Sequence, residues 1–278
     1  MKNFKLMVYP YIIWAVILII LPMLLIIFYA LTKEGNSVIA IQFTLENFVK
    51  FFSEKVFIDV LKRSLYIAIL TTIICILLGY PTAYIISKMK EHSQITMILI
   101  ITIPTWINML VRTYAWRSIL DKNGLINSLL ALFNIAPIKL LETTFAVTLG
   151  MVYNFIPFMI LQIYTSLSKM DKSYLEAAAD LGANKLQAFC KVILPLSIPG
   201  VISGITLVFL PAVSSFFIPK LLGGGQYVLI GNVIENQFLT AGNWGFGSAI
   251  SLIMAVIIII SMYITRKIDN KIATEGSE

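Results

Sequence analysis

Long apolar runs separated by clumped charges constrain this chain more than any other feature. They cover residues 8–31, 63–87, 95–118, 143–167, 196–219 and 246–265. About 20 such residues cross the hydrocarbon core of a bilayer as a helix. Backbone amides and carbonyls find no water there, so each run is expected to satisfy its own hydrogen bonds as an α-helix. The expected fold class is an all-α membrane protein of about six transmembrane helices. Charged residues make up 13% of the chain and hydrophobic ones 59%, which leaves no stretch polar enough to fold as a separate soluble domain.

Pro22, Pro81, Pro104, Pro157 and Pro211 fall inside these runs. Neighbouring helices in a membrane can satisfy the backbone groups that proline frees, so a bundle of kinked helices is expected. The apolar run after Lys2 and Lys5 is too long for a secretory signal and is followed by no Ala-x-Ala site, so it reads as an uncleaved first span. Segments 1–7, 88–94, 168–195 and 266–278 hold 11 Lys or Arg in 55 residues, against seven in the 81 residues of 32–62, 119–142 and 220–245. By the positive-inside rule both termini are expected in the cytoplasm. The net charge of +7 reads as this topology signal plus contact with anionic lipid, and no nucleic-acid motif accompanies it. Cys75 and Cys190 lie in a span and in a cytoplasmic loop, where neither a disulfide nor a metal site is expected. His92 is expected to be solvated. The glycine-rich outer segment 220–245 is half apolar and could dip back into the membrane face.

The informative loop is 168–195. Ser173 followed by Glu176 has the spacing of a capping box, and Ala177, Ala178 and Ala179 propagate a helix. Gly182 suits a left-handed cap, Asn184 with Gln187 is a second start signal, and Pro195 is expected to stop the second helix. Two short helices joined by a glycine turn result. Their flat alanine face could receive another protein, or the hairpin could rest on lipid headgroups.

Glu176-Ala177-Ala178, three residues, Gly182, nine residues, then Val192-Ile193-Leu194-Pro195 resembles the EAA loop of permeases in bacterial ATP-binding-cassette importers, with Val192 where Ile is usual. The resemblance implies the type I importer permease (MetI-like) fold. It implies a first helix and outer loop in 1–62, a core of five spans in 63–265 carrying the loop 168–195, and a cytoplasmic tail in 266–278. It also implies that Glu176, Ala177, Ala178, Gly182, Ala183, Leu194 and Pro195 form or shape the joint to a cytoplasmic ATPase. The implied partners are a second homologous permease, an ATPase dimer, an extracytoplasmic substrate-binding protein and the bilayer of a bacterial cell membrane. No cofactor is expected on this chain, because ATP and Mg are used by the partner. No G-x-x-x-x-G-K-[ST] phosphate loop occurs, and no nucleophile–histidine set, so the chain itself is expected to be non-catalytic.

Arg112-Thr113-Tyr114-Ala115-Trp116, Ile119-Leu120 and Asn123-Gly124-Leu125-Ile126-Asn127 resemble the third span of spermidine/putrescine permeases and the loop after it. Leu221-Leu222-Gly223-Gly224, Ile230-Gly231-Asn232-Val233-Ile234, Gln237-Phe238 and Asn243-Trp244-Gly245-Phe246-Gly247 extend that resemblance. A polyamine path needs aromatic faces and carboxylates, because cation–π contacts hold an ammonium. Trp106, Tyr114, Trp116, Phe216 and Phe217 supply aromatics, and Asp121 and Glu235 supply carboxylates. The same Trp and Tyr also fit an interfacial belt. Arg112 reads as an interface anchor or an internal ion-pair partner. Asn154 and Gln162 are expected to face the bundle interior. A permease for another small solute keeps the same motifs. An ion-coupled secondary transporter is disfavoured, since no Asp or Glu lies in the central half of any span.

Overall fold

The structure, a computed structural model, describes residues 8–33, 42–171, 173–225 and 227–275. The expected cytoplasmic segment 1–7, residues 34–41 of the first outer loop, Lys172, Gln226 and the tail end 276–278 lie outside the described residues. The regular structure among the described residues is helical, apart from an isolated antiparallel bridge between Thr32 and Phe43. The chain divides into two units, one of residues 1–61 and 230–259, the other of 62–229 and 260–278.

In the first unit, α1 (Val8–Ala15) passes through a π-helical turn (Val16–Ile20) into α2 (Leu21–Ala30). Pro22 falls in the first turn of α2, where its missing amide has little to lose. Apart from Ala30, no described side chain of this helix is buried within the chain. After α3 (Glu46–Ser53), α4 (Lys55–Ser87) begins. Phe51 is fully buried, stacks on Phe57 at 6.0 Å, and Phe57 meets Phe246 edge-on at 4.9 Å. Asn47 ties the end of α2 to α3 by donating to the carbonyls of Ala30 and Thr32. The unit also holds α13 (Ile230–Leu239) and the start of α14 (Trp244–Glu275). Asn243 opens α14 by accepting the amide of Phe246 at 2.7 Å.

The second unit is built around α8 (Thr144–Ser168), which buries much of its length. It packs against α11 (Leu194–Ser214) through glycines. A Cβ at Gly200 would lie 2.5 Å from Ser166 Cβ and 2.8 Å from the Gln162 carbonyl oxygen, and one at Gly204 2.5 Å from Met159 Sδ. Lipid is as apolar as the side chains, so close backbone approach through small residues is what holds such helices together. The remaining elements are α5 (Glu91–Trp106), α6 (Met109–Leu120), α7 (Leu125–Leu132), α9 (Ser173–Asp180), α10 (Lys185–Ala188) and α12 (Phe217–Leu222).

Among the described residues five helices are long and apolar enough to cross a membrane, and a sixth crossing is counted if α5 and the segment from Met109 to Leu132 form one bent span. That third span was expected as a single run over 95–118. It is instead bent by 90° between Trp106 and Met109. Asn108 explains the break: its side chain accepts the Leu110 amide at 2.8 Å and starts a new helix. Pro195 does not stop the second loop helix. The chain runs helically from Lys185 to Ser214 through a π-helical turn at Phe189–Ile193. There the Leu194 amide reaches the Phe189 carbonyl, and Pro195 falls in the first turn of α11. The amide that proline lacks is not missed where the ladder changes register.

Candidate functional site

The loop 168–195 folds as the expected hairpin, with one change in how it begins. α9 starts at Ser173, so Ser173 is its first helical residue rather than its cap. Asp171 Oδ1 accepts the Ser173 amide at 2.9 Å, and hydrogen bonds from Ser173 hold that carboxyl below its usual range. At the other end, Gly182 has φ +78°. Its amide donates to Ala179, and the Ala183 amide reaches back to the Ala178 carbonyl at 3.0 Å. This paired closure needs a left-handed residue at the turn, and only glycine adopts that conformation at no steric cost. Ala178 is buried under the turn. Three motif residues, Ala178, Gly182 and Ala183, therefore shape the hairpin through its backbone.

α10 opens with the full reciprocal box. Asn184 Oδ1 accepts the Gln187 amide and Gln187 Oε1 accepts the Asn184 amide, each at 2.9 Å. Apolar Leu181 and Leu186 stand 89% and 71% exposed at the hairpin tip. Ala177 is exposed, as are Leu194 and Pro195 at the far end. Glu176 opens onto a cavity of about 420 Å³ that is also lined by Tyr84, Lys88, Met89, Gln94 and Ile193.

Sequence reading missed the residues that tie this hairpin to the bundle. Phe189, in the π turn, meets Tyr84 and Tyr80 edge-on. The Tyr80 and Ser197 hydroxyls share a 2.7 Å hydrogen bond. Gln94 donates to the carbonyls of Ser87 and Met89 and accepts from the Tyr164 hydroxyl at 2.9 Å, which fixes the short link between α4 and α5. An aromatic residue amid the polar loop was the available signal for Phe189.

The path residues are only partly brought together. Tyr114 and Asp121 line one cleft of about 400 Å³ with Arg117 and Asn123. Asp121 also holds the turn after α6, its Oδ1 accepting the Asn123 amide. Trp116 turns onto the Tyr153 ring at 5.4 Å. Trp106 ends α5 and is 76% exposed. Phe216 and Phe217 lie against each other at 4.1 Å, at the start of α12. Glu235 is half-buried on α13, in the other unit. Asn154 is buried and donates to the Gly150 carbonyl, while Gln162 is half-buried. Arg112 takes part in no ion pair among the described residues.

A helical bundle that carries this capped hairpin between two of its spans is the architecture of a solute-importer membrane subunit, and the chain belongs to the family described as binding-protein-dependent transport system inner membrane component, which it matches over residues 6–274. Among curated proteins it is similar to the spermidine/putrescine transport system permease protein PotB of Haemophilus influenzae, at 39% identity over 94% of each chain. Its identity to PotB of Escherichia coli is 37%, over 94% of this chain and 98% of that one. Its fold is also that of a chain in a bacterial ABC transporter involved in import of the acidic polysaccharide alginate, with TM-score 0.81 at 16% identity over 97% of this chain and 96% of the other. A chain of the methionine transporter MetNI aligns with TM-score 0.57 over 77% of this chain and 95% of that one. The all-helical permease fold expected from the EAA loop is the fold observed.

Proposed function

We propose that this chain is the permease subunit through which an ATP-driven importer moves polyamines of the spermidine and putrescine class into the cell. The observation that carries the reading is its 39% identity, over 94% of both chains, to a spermidine/putrescine permease. The chain works with a second, homologous permease, and both termini lie in the cytoplasm. Two copies of a cytoplasmic ATPase dock on the hairpins, and an extracytoplasmic binding protein delivers the cargo. The exposed Leu181 and Leu186 at the hairpin tip supply an apolar contact for the ATPase, and Glu176 supplies its charge. ATP binding draws the hairpins together and opens the path outward, and hydrolysis reverses it. ATP and Mg act on the partner, and this chain makes and breaks no covalent bond. Residues 63–265 form the core, 1–62 the first span with its outer loop, and 266–278 a cytoplasmic tail.

For the cargo, Tyr114 and Asp121 offer the pairing of an aromatic face with a carboxylate in one cleft. Trp106, Trp116, Phe216, Phe217 and Glu235 extend the candidate path. The test is uptake of labelled spermidine by cells carrying the whole transporter, with wild type set beside Glu176→Lys and Glu235→Gln. Loss of uptake in Glu176→Lys at normal membrane levels, together with competition by putrescine, supports the reading. A stable wild-type complex that takes up no polyamine overturns the cargo. A fully active Glu176→Lys withdraws the coupling role from that residue.

A further inference from the structure

Arg112 is the cation in this bundle whose chemistry its own unit leaves unfinished. Its Nε and Nη1 are buried, yet neither meets a hydrogen-bond acceptor among the described residues. The guanidinium lies over the Tyr153 ring, 6.0 Å from its centroid, and Trp116 closes on the edge of the same ring. A ring face attracts a cation but accepts none of the five N–H donors of arginine in the plane where they point. Buried donors of a charged group without acceptors are costly, and native proteins rarely leave them so.

Three ways of meeting that demand are open to an arginine between apolar helices, and two do not fit. An arginine facing lipid extends its side chain toward headgroup water. Arg112 instead folds against Tyr153, with two of its nitrogens out of solvent. An anionic cargo would satisfy it, but the cargo proposed above is a polycation. The remaining way is a carboxylate carried by another protein. The surface beside Arg112 suits one, since on the same helix Val111 and Tyr114 are 61% and 54% exposed. A second copy of this chain is a poor source, because its apolar runs hold no Asp or Glu in their central halves.

We propose that Arg112 docks a buried Asp or Glu on a second, different permease subunit, forming an intramembrane ion pair that selects the correct partner. The proposal rests on the two-permease reading given above and, where an anionic ligand is set aside, on the polycationic cargo. Arginine fits the role because its planar fork engages a carboxylate through two parallel hydrogen bonds, which fixes orientation as well as charge. Tyr153 and Trp116 hold the fork in place before the partner arrives.

The test uses the whole transporter, purified through a tag on this chain, with recovery of the second permease as the readout. Arg112→Glu is expected to lower that recovery by about tenfold or more, as loss of one member of a buried charge pair does at other interfaces. Arg112→Lys keeps the charge but loses the fork, so its recovery should fall between wild type and Arg112→Glu, and its membrane level controls for folding. Recovery should return when Arg112→Glu is combined with one Asp or Glu to Arg exchange in the spans of the second permease. The proposal is overturned if Arg112→Glu assembles like wild type, if recovery returns only through exchanges within this chain, or if assembly is intact and only the apparent KM for cargo changes. Should wild type itself recover no second permease, the two-permease reading fails along with the ion pair. A failure of polyamine uptake alone would leave the assembly result unaffected.

Discussion

Phe189 meets Tyr84 edge-to-face, with ring centroids 5.4 Å apart and planes at 78°. The contact joins the π-helical turn after the hairpin to the second apolar span. Tyr80 meets the same ring edge-on at 5.9 Å, and its hydroxyl bonds to Ser197 one turn into α11. A displacement of the hairpin therefore bears on α4 and α11 together through one aromatic side chain. The π turn is where such a helix can change register most cheaply, because its hydrogen bonds already span five residues.

Phe189→Ala should uncouple before it unfolds. Each edge-to-face pair contributes about 0.5–1.5 kcal/mol beyond its burial, too little to unfold the bundle but enough to loosen one joint. The expected outcome in reconstituted complex is a several-fold fall in cargo moved per ATP hydrolysed, with membrane level unchanged. Phe189→Tyr, which keeps the ring, should stay near wild type. An unaltered transport-to-hydrolysis ratio in Phe189→Ala would remove the joint from the coupling route.

Gly182→Ala tests the turn by itself. Nothing lies within 4 Å of a Cβ built there, so the penalty is purely that of a left-handed alanine, about 1–2 kcal/mol. The Gly182 and Ala183 amides, which close the turn on Ala179 and Ala178, should exchange with deuterium several-fold faster. Gly182→Asn should lie between the two, since asparagine tolerates that conformation better than alanine. Equal exchange in all three would mean that the turn is held by something other than its backbone.

Much of this fold was legible because it rests on local chemistry. The Asn184–Gln187 box, the Gly182 turn and the apolar lengths of the spans each depend on residues close together in the chain, and each is present in the structure. What was not legible depends on context. Pro195 looked like a stop, but a π turn ahead of it removes the need for its amide. Pro104 and Asn108 together marked the break in the third span, yet the uninterrupted hydropathy of 95–118 hid it. Ser173 carried the cap sequence, while Asp171, two residues earlier, receives the amide. Of the expected path residues, Tyr114 and Asp121 share a cleft because about two helical turns separate them on and after α6, which returns them to one face. Trp116 faces Tyr153 because helix rotation is set by packing against α8, which hydropathy does not encode.

The seam between α8 and α11 distinguishes two glycines of similar sequence context. At Gly200 an added methyl meets the Gln162 backbone oxygen and Ser166 Cβ, neither of which can move without the helix. At Gly204 it meets the Met159 thioether, the far part of a flexible side chain. Gly200→Ala should therefore destabilise by about 1–3 kcal/mol, as overpacking in a fixed seam does. Gly204→Ala should cost clearly less. Thermal unfolding of the purified complex in detergent measures both, and a Tm for Gly204→Ala at or below that of Gly200→Ala would contradict the ranking.

The start of α9 should respond to acid in a window set by Asp171. Its carboxyl is held below the ordinary carboxylate range by the Ser173 amide, with the Ser173 side chain adding to the effect. A depressed value in the folded state means that the bond is fully present above the unfolded value, about 3.9 for aspartate, and is lost as pH falls through the lowered one. Protection of the Ser173 amide, corrected for intrinsic exchange, should then be flat from neutral pH down through mild acid and fade only below the ordinary range. Asp171→Asn keeps an oxygen able to accept that amide but cannot titrate. Its protection should be pH-independent across the same window, so fading that persists in Asp171→Asn would assign the acid response to another group.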